Sequence, residues 1–309
     1  MIAIDLGSNT LRVVQMDSGT GELLAEYDKI VKTADGLVQS GMINAAAIQR
    51  VIVAIREVQT KIDFSSDKLR AVTTEAVRRA SNSDEVLSAI LEETGIRFEI
   101  ITGEEEARLT FLAVRNRLEI LGLAREESFL LVDIGGGSTE LIFHYPHQTI
   151  SKSFPIGIVT VAQSYHTLEE ISEAVPRLMA EMQEFTDEIY AKEGRVDTFV
   201  ATAGTPTTVA AMKLGQTYAA YDPQQINGME LTTEDLEREL HRLLAMPFEE
   251  RENVVGVGRS DLIAAGILIF RELYVIADID RCVVIDDGLR EGVALEAYKN
   301  NQFFGGPIR

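Results

Sequence analysis

The residues with the clearest capacity for chemistry lie within residues 130–142, LLVDIGGGSTELI. An apolar strand, an acid, a glycine run, a hydroxyl and a second acid follow one another there: Asp133, Gly135, Gly136, Gly137, Ser138 and Glu140. Because glycine has no Cβ, an anion can approach the backbone amides of the run closely. Two carboxylates beside an anion make chemical sense if a divalent cation bridges them. The alternative is a plain β-hairpin with a flexible tip.

The same pattern occurs near the start of the chain. Residues 5–10, DLGSNT, align with residues 133–138, DIGGGS, and apolar pairs follow at equivalent positions in both copies. Each copy is an apolar strand, an acid, a glycine-containing turn and a returning strand. Two such copies, each opening a similar order of elements, predict a duplicated α/β fold with a cleft between two lobes. In such a pair both turns can face the cleft and bind one phosphate from two sides.

Hydrophobic periodicity and turn residues predict the elements that position these groups. The predicted strands are three short ones within 2–32, then 69–74, 97–102, 129–134, 139–145, 149–155, 198–203 and 282–286. The predicted helices are 44–62, 83–94, 104–121, 157–166, 168–193, one from Pro206, 233–246, 259–274 and 289–300. Helical crossovers imply parallel pairing of the later strands. The polar linker 122–128 predicts domains 1–124 and 125–309, with helix 289–300 a candidate to pack on the first.

Composition restricts the function classes. The 309 residues are 46% hydrophobic and 25% charged, as in globular proteins of two domains. The single Cys282 excludes a disulfide framework within the chain, and a cytoplasmic location is expected, with neither a signal peptide nor a membrane span. A net charge of −20 disfavours nucleic acid and anionic membranes as partners. A local arginine cluster could still bind a phosphorylated substrate.

Three further segments carry candidate residues. In residues 102–108, TGEEEAR, Thr102 and Glu105 have capping-box spacing, which leaves Glu106 as a candidate base at the end of a strand. In residues 203–208, AGTPTT, Thr205 fits a helix N-cap before Pro206, so the segment is either a well-made helix start or a third anion site. Arginines are candidates for bidentate phosphate contacts, although each alone is more often a surface charge: Arg78, Arg79, Arg259 and Arg290.

These motifs together resemble a known family. The turns DLGSNTLR and DIGGGSTE resemble the two phosphate motifs of the actin/sugar-kinase/Hsp70 superfamily, whose domains are RNase H-like. With VTTEAVRRA, TGEEEAR, AGTPTT and DDGLREGV, the chain is similar to the exopolyphosphatase/guanosine pentaphosphate phosphatase family from residue 2 to about 300. The resemblance implies a Mg²⁺-dependent (or Mn²⁺-dependent) phosphohydrolase acting on polyphosphate or pppGpp, the latter a nucleotide of the stringent response. It implies direct attack of water on the terminal phosphorus.

The resemblance also implies roles for individual residues. Glu106 matches the general base, and Asp133 and Glu140 match acids around the metal and the attacking water, with Asp5 as a further metal ligand. The implied phosphate and substrate ligands are Ser8, Asn9, Arg12, Arg78, Gly135, Gly136, Gly137, Ser138, Gly204, Thr205 and Arg259. Ala203 departs from the pattern, since the family commonly has glycine there. The chain also looks like a short-form member, which puts processivity on long polyphosphate in question.

Two other readings stay open at this point. One is a small-molecule kinase on the same fold, and the other is a (p)ppGpp-binding sensor without turnover. The catalytic residues do not distinguish polyphosphate from guanosine penta- or tetraphosphate, because the terminal phosphoanhydride is the same. The oligomeric state is also open, and a homodimer is one alternative. The apolar run 262–270 lies either in the hydrophobic core or in a subunit interface, and the core is favoured.

Overall fold

The computed structural model describes residues 1–17, 20–65, 68–123 and 128–304. The chain divides into two compact units, the first formed by Met1–Ala113 with Asp287–Arg309 and the second by Val114–Asp286. The predicted boundary at 124/125 lies outside the described residues, within the predicted linker, whereas the two units divide within a helix that precedes it. The terminal helix groups with the first unit.

The elements follow one another as alternating strands and helices. Up to the division they are β1 (Ile2–Leu6), β2 (Thr10–Met16), β3 (Leu23–Ile30), α1 (Leu37–Ser40), α2 (Ala45–Gln59), β4 (Leu69–Thr73), α3 (Glu75–Arg79), α4 (Ser83–Thr94), β5 (Phe98–Ile100) and α5 (Gly103–Ile120). Then come β6 (Phe129–Ile134), β7 (Thr139–Tyr145), β8 (Gln148–Phe154), α6 (Ile158–Ser164), α7 (Leu168–Leu178), α8 (Ala180–Glu193), β9 (Thr198–Thr202) and α9 (Gly204–Lys213). A 3₁₀ turn (Tyr218–Ala220), α10 (Pro223–Ile226), β10 (Met229–Thr232), α11 (Thr233–Ala245), α12 (Phe248–Val255), α13 (Ser260–Ala277), β11 (Arg281–Val284) and α14 (Leu289–Phe304) complete the order.

The two units have the same sheet topology. The described strands form a five-stranded sheet of order β3-β2-β1-β4-β5 and a six-stranded sheet of order β10-β11-β9-β6-β7-β8. In each, the first three strands in sequence are antiparallel, and later strands lie parallel to the first. Only β10, antiparallel at an edge, has no counterpart. The predicted α/β fold, duplicated in two sheets, is confirmed.

The centre of the first unit's sheet is buried because β1 and its neighbours carry apolar residues on both faces. One face packs on α2 and α4 through residues such as Ile4, Val51 and Ile90. The other face packs on α5 and α14, where Val72, Leu109 and Val293 lie together. In the second unit α13 is buried along most of its length, so the run 262–270 is core, as favoured from the sequence.

Two helix predictions differ from the structure. The predicted helix 168–193 is two helices that meet at Met179, just after Pro176 inside α7. Proline removes a backbone donor and crowds the preceding turn, which accounts for an interruption near this point. The predicted N-cap at Thr205 is wrong, since α9 begins at Gly204 and Ala203 is its N-cap residue. None of the described helices is long and apolar enough to cross a membrane.

Candidate functional site

The two predicted phosphate turns are closed by the same backbone hydrogen bond. In the first, the Gly7 amide donates to the Thr10 carbonyl over 3.0 Å, and in the second the Gly135 amide donates to the Ser138 carbonyl over 2.9 Å. Each turn joins an antiparallel strand pair, β1–β2 or β6–β7. The aligned residues 5–10 and 133–138 therefore occupy the same place between two strands in their respective sheets.

In the second turn the carbonyls of Gly135 and Gly136 are bound, whereas the amides of Gly136 and Gly137 are not bound within the described chain. The start of α6 donates to the carbonyls of Gly135 and Gly136, from Ile158 over 3.1 Å and Val159 over 2.8 Å. Gly157 lies so close that a Cβ there would come within 2.5 Å of the Gly136 backbone. Within the part of the chain that the structure describes, the amides of Gly136 and Gly137 meet no protein acceptor. The turn thus presents two backbone N–H donors that have no protein acceptor among the described residues, an arrangement that suits binding of an anion.

A row of polar side chains runs across the second sheet directly beside this turn. Asp133 on β6 pairs with Glu140 on β7, which pairs in turn with Ser153 on β8, while Thr202 on β9 flanks Asp133. Asp133 and Glu140 are buried, and the Ser153 hydroxyl donates to Glu140 Oε1 over 2.7 Å. Directly opposed like charges destabilise a strand pair. The row therefore has the composition of a cation site.

The equivalent row of the first sheet is charge-balanced instead. Asp5 on β1 pairs with Arg12 on β2, and Arg12 pairs with Asp28 on β3, with Arg12 Nε and Asp28 Oδ1 3.9 Å apart. Arg290 from α14 donates to Asp28 Oδ1 over 2.8 Å and also binds Glu291. Burial raises the pKa of Glu291 although Arg290 opposes the shift. Arg290 is thus a buried structural cation rather than a surface charge.

The predicted magnesium site fits the second unit best. Among the described residues no group of three or more potential His, Cys, Asp or Glu ligands is assembled. Mg²⁺ is commonly held by one or two carboxylates, with water and substrate phosphates completing its six ligands. Asp133 and Glu140 supply two adjacent carboxylates beside an anion-binding turn, so their chemistry fits the ion. Asp5 lies beside Arg12 in the other sheet, and its role as a metal ligand stays a prediction.

Glu106 and Arg78 lie together in the first unit. The Glu106 side chain, on the first turn of α5, is 10% exposed, and its Oε2 is 3.5 Å from Arg78 Nη1. Arg78 also donates to the Ile101 carbonyl over 2.7 Å and to Glu75 Oε2 over 2.6 Å. The Thr102 hydroxyl accepts from the Glu105 amide over 3.1 Å, which confirms the predicted cap and leaves Glu106 as the buried acid of the run.

Glu75 is the partner that the sequence interpretation missed. It is buried and forms ion pairs with Arg78 and, over 3.6 Å, with Arg79. The i,i+3 spacing of Glu75 and Arg78 on a predicted helix would have indicated the pair, but the short α3 was not predicted. Ser153 and Thr202 were missed as well, because cross-strand neighbours follow from the register and not from spacing along the chain.

The AGT segment and Arg259 also lie together, in the second unit. Arg259, the residue before α13, has its Nη2 3.2 Å from Thr208 Oγ1 and 3.5 Å from the Gly204 carbonyl. Its guanidinium lies over the Tyr218 ring at 5.6 Å. Thr205 is fully buried, and a Cβ on Gly266 of α13 would lie 2.2 Å from its Oγ1.

Ala203 adopts a backbone conformation that favours glycine. Its φ of 74° and ψ of −168° fall in a region that side chains with a Cβ rarely occupy. This explains why a family pattern would have glycine at this position. The alanine therefore strains the turn that leads into α9.

A cavity of about 740 Å³ in the second unit is lined by none of the predicted site residues. It lies where β6, β9 and β11 begin, with Phe129, Thr198 and Arg281 among its lining residues, whereas the glycine turn follows the end of β6. The cavity is thus separate from the candidate phosphate turn.

Comparison with known proteins identifies relatives over nearly the whole chain. The model of the Ppx/GppA phosphatase family matches residues 12–301. Exopolyphosphatase 2 of Mycobacterium tuberculosis is 31% identical, and the match covers 95% of this chain and 97% of that protein. The crystal structure of the Aquifex aeolicus family member is 31% identical with a TM-score of 0.74, covering 99% and 98% of the two chains. An exopolyphosphatase structure from Cytophaga hutchinsonii, 22% identical with a TM-score of 0.83, covers 97% of each chain and shares the fold.

Proposed function

Because the chain belongs to the Ppx/GppA phosphatase family, we propose that it is an exopolyphosphatase, which releases terminal orthophosphate from inorganic polyphosphate. The observation that carries the proposal is the second turn: α6 binds the carbonyls of Gly135 and Gly136, while the amides of Gly136 and Gly137 lack protein acceptors in the described chain. The names of the mycobacterial relatives support the same substrate. Polyphosphate is a chain of phosphoanhydrides, so a site for its end needs anion donors and charge neutralisation.

In the proposed mechanism water attacks the terminal phosphorus in line with the departing chain. Glu106 takes the proton of that water, and Arg78 contacts the phosphate chain while Glu75 and the Ile101 carbonyl fix its orientation. The amides of Gly136 and Gly137 and the Ser138 hydroxyl hold the phosphoryl oxygens. No covalent intermediate is required.

Asp133 and Glu140 are proposed to hold Mg²⁺. When bound, the ion would supply positive charge to the phosphoryl oxygens and to the departing oxygen. The protein contributes the two carboxylates and Ser153, whose hydrogen bond to Glu140 Oε1 orients that side chain. Hydrogen bonds of this kind commonly fix the orientation of side chains that bind a metal ion.

Hydrolysis of pppGpp is the second candidate, favoured by the surroundings of Arg259. Tyr218, whose ring lies beside Arg259, is 43% exposed, and an aromatic face can stack with a nucleobase. Parallel kcat/KM values for polyphosphates of several lengths, pppGpp and ppGpp would decide between the substrates.

The test of the proposed function is release of orthophosphate from polyphosphate with Mg²⁺, in the absence of ATP or any acceptor. Glu106→Gln is expected to lower kcat by about 10²–10⁴-fold, because the variant lacks the proton acceptor. Glu104→Gln is the matched control, since Glu104 is an exposed acid on the same helical turn. It should retain wild-type turnover.

Three results would contradict the proposal. Wild-type turnover by Glu106→Gln would exclude Glu106 as the base. Phosphate transfer that appears only with an acceptor would favour a kinase. Binding of ppGpp without hydrolysis of any phosphate ester would favour a sensor.

A further inference from the structure

The first phosphate turn is held by the loop that follows β3. The Asn9 carbonyl accepts from the amides of Val31 and Lys32, both over 2.9 Å, and the Ser8 carbonyl accepts from the Ala34 amide over 2.8 Å. Within the described residues the amides of Ser8 and Asn9 meet no protein acceptor. The direction in which these two amides point therefore depends on the position of the loop.

A side chain from a helix distant in sequence holds the same loop from its other side. Arg50 of α2 donates from Nε to the Val31 carbonyl over 2.7 Å and from Nη2 to the Lys32 carbonyl over 3.0 Å. Its Nη2 also lies 3.2 Å from Asp35 Oδ2. The planar guanidinium suits this task because its donors have fixed relative directions.

The backbone of this loop needs such support. Lys32 has a φ of 49°, in the left-handed region that residues with a Cβ rarely adopt. In this conformation the amides of Val31 and Lys32 both donate to the Asn9 carbonyl. The carbonyls of the same two residues accept from Arg50. The strained residue thus lies between two sets of hydrogen bonds, one to the turn and one to α2.

In the second unit the turn is held mainly by backbone amides. There the backbone amides at the start of α6 bind the turn carbonyls directly, and Gly157 allows close contact. A helix start is held by its own hydrogen bonds. Within the described chain, the loop that holds the first turn has only two turn hydrogen bonds of its own, from the Asp35 amide to the Lys32 carbonyl and from the Leu37 amide to the Ala34 carbonyl, both over 3.1 Å.

We infer that Arg50 is a positioning residue for the first phosphate turn, acting through the Val31–Lys32 backbone to direct the Ser8 and Asn9 amides at the phosphate chain of the substrate. The inference rests on the proposed function for its effect on activity. It does not make Arg50 a catalytic residue, because Arg50 contacts the loop and not the turn.

The kinetic test compares two arginines of α2. Arg50→Gln should lower kcat/KM for polyphosphate by about tenfold, chiefly through KM, since misdirected amides bind phosphate less well. Arg56→Gln is the matched control, because Arg56 donates from Nε and Nη2 to the Glu93 carbonyl in the same manner, away from the turn. That variant should stay within about twofold of wild type. Arg50→Lys should recover only part of the loss, because one ammonium group replaces a fork of donors.

A second measurement does not depend on turnover. Hydrogen exchange of the Val31, Lys32 and Ala34 amides, which bind the turn, should accelerate about fivefold or more in Arg50→Gln and remain unchanged in Arg56→Gln. Equal exchange and equal KM in both variants would overturn the inference. An inactive wild-type protein would defeat the proposed function, and the exchange rates would still decide whether Arg50 holds the loop.

Discussion

One position carries opposite charges in the two copies of the repeat. Arg12 and Glu140 occupy the same place in the strand after each turn, opposite Asp5 and Asp133. Arginine gives Asp5 a cross-strand neighbour of opposite charge in the first row. Glutamate leaves the second row with two adjacent acids, which favours a bound cation. The residue at this position thus distinguishes a row that contains an arginine from a row of two adjacent carboxylates, for which we propose a metal-binding role.

Ala203 provides a prediction at the residue scale. Ala203→Gly should increase the free energy of unfolding by about 1 kcal/mol, because removal of the Cβ relieves a strain of about 1–3 kcal/mol at φ 74°, and the greater freedom of glycine in the unfolded chain offsets part of the gain. Urea unfolding of the full-length chain measures this change.

The control for this prediction lies two residues earlier. Ala201 is fully buried in β9, where glycine is unfavourable, so Ala201→Gly should lower stability. If both glycine variants were destabilised equally, the conformation of Ala203 would carry no strain.

At the scale of elements, the strands were predicted well and several connections were not. Strands β6 and β7 begin and end at the predicted residues, because apolar runs bounded by glycine and polar turns encode them locally. The short helices α1, α3, α10 and α12 and the strand β10 were not predicted. Such elements are too short for their periodicity to be visible, and tertiary contacts decide whether they form.

The contact of α13 with the AGT segment gives a prediction at this scale. Gly266→Ala should destabilise the protein by about 1–3 kcal/mol, because its Cβ would lie 2.2 Å from the buried Thr205 hydroxyl. Adding Thr205→Ala removes that oxygen, which has no hydrogen-bond partner among the described residues. The double variant should therefore recover about 1 kcal/mol relative to the sum of the single changes. Additive effects in denaturant unfolding would show that the two positions do not meet.

At the scale of the whole molecule, the C-terminal helix α14 belongs to the same compact unit as the N-terminal part of the chain. Leu289 and Val293 of α14 pack with Val72 and Leu109 in one core. Ion pairs reinforce the contact, since Glu296 binds both Arg70, over 2.6 Å, and Arg108. Neither compact unit is therefore a simple half of the sequence.

The assignment of α14 to the first unit predicts which strands a substitution in α14 destabilises. Val293→Ala should cost about 2 kcal/mol and accelerate hydrogen exchange in β1 and β4, which share its core, without changing exchange in β6 and β9. Val275→Ala is the control, since Val275 is 63% exposed on α13. Faster exchange confined to the second unit would contradict the assignment of α14 to the first.

The sequence by itself determined the repeat, the two glycine-containing turns, most strands and longer helices, and the family resemblance. These depend on patterns of neighbouring residues, since strand alternation, helix periodicity and turn preference are local properties. Only the tertiary structure decided that Arg290 is buried beside Asp28, that Thr205 faces α13 and that Arg50 holds the loop behind Asn9. Each of those contacts joins residues far apart in the chain. Their partners are fixed by which elements pack together and in what register, and no local pattern contains that information.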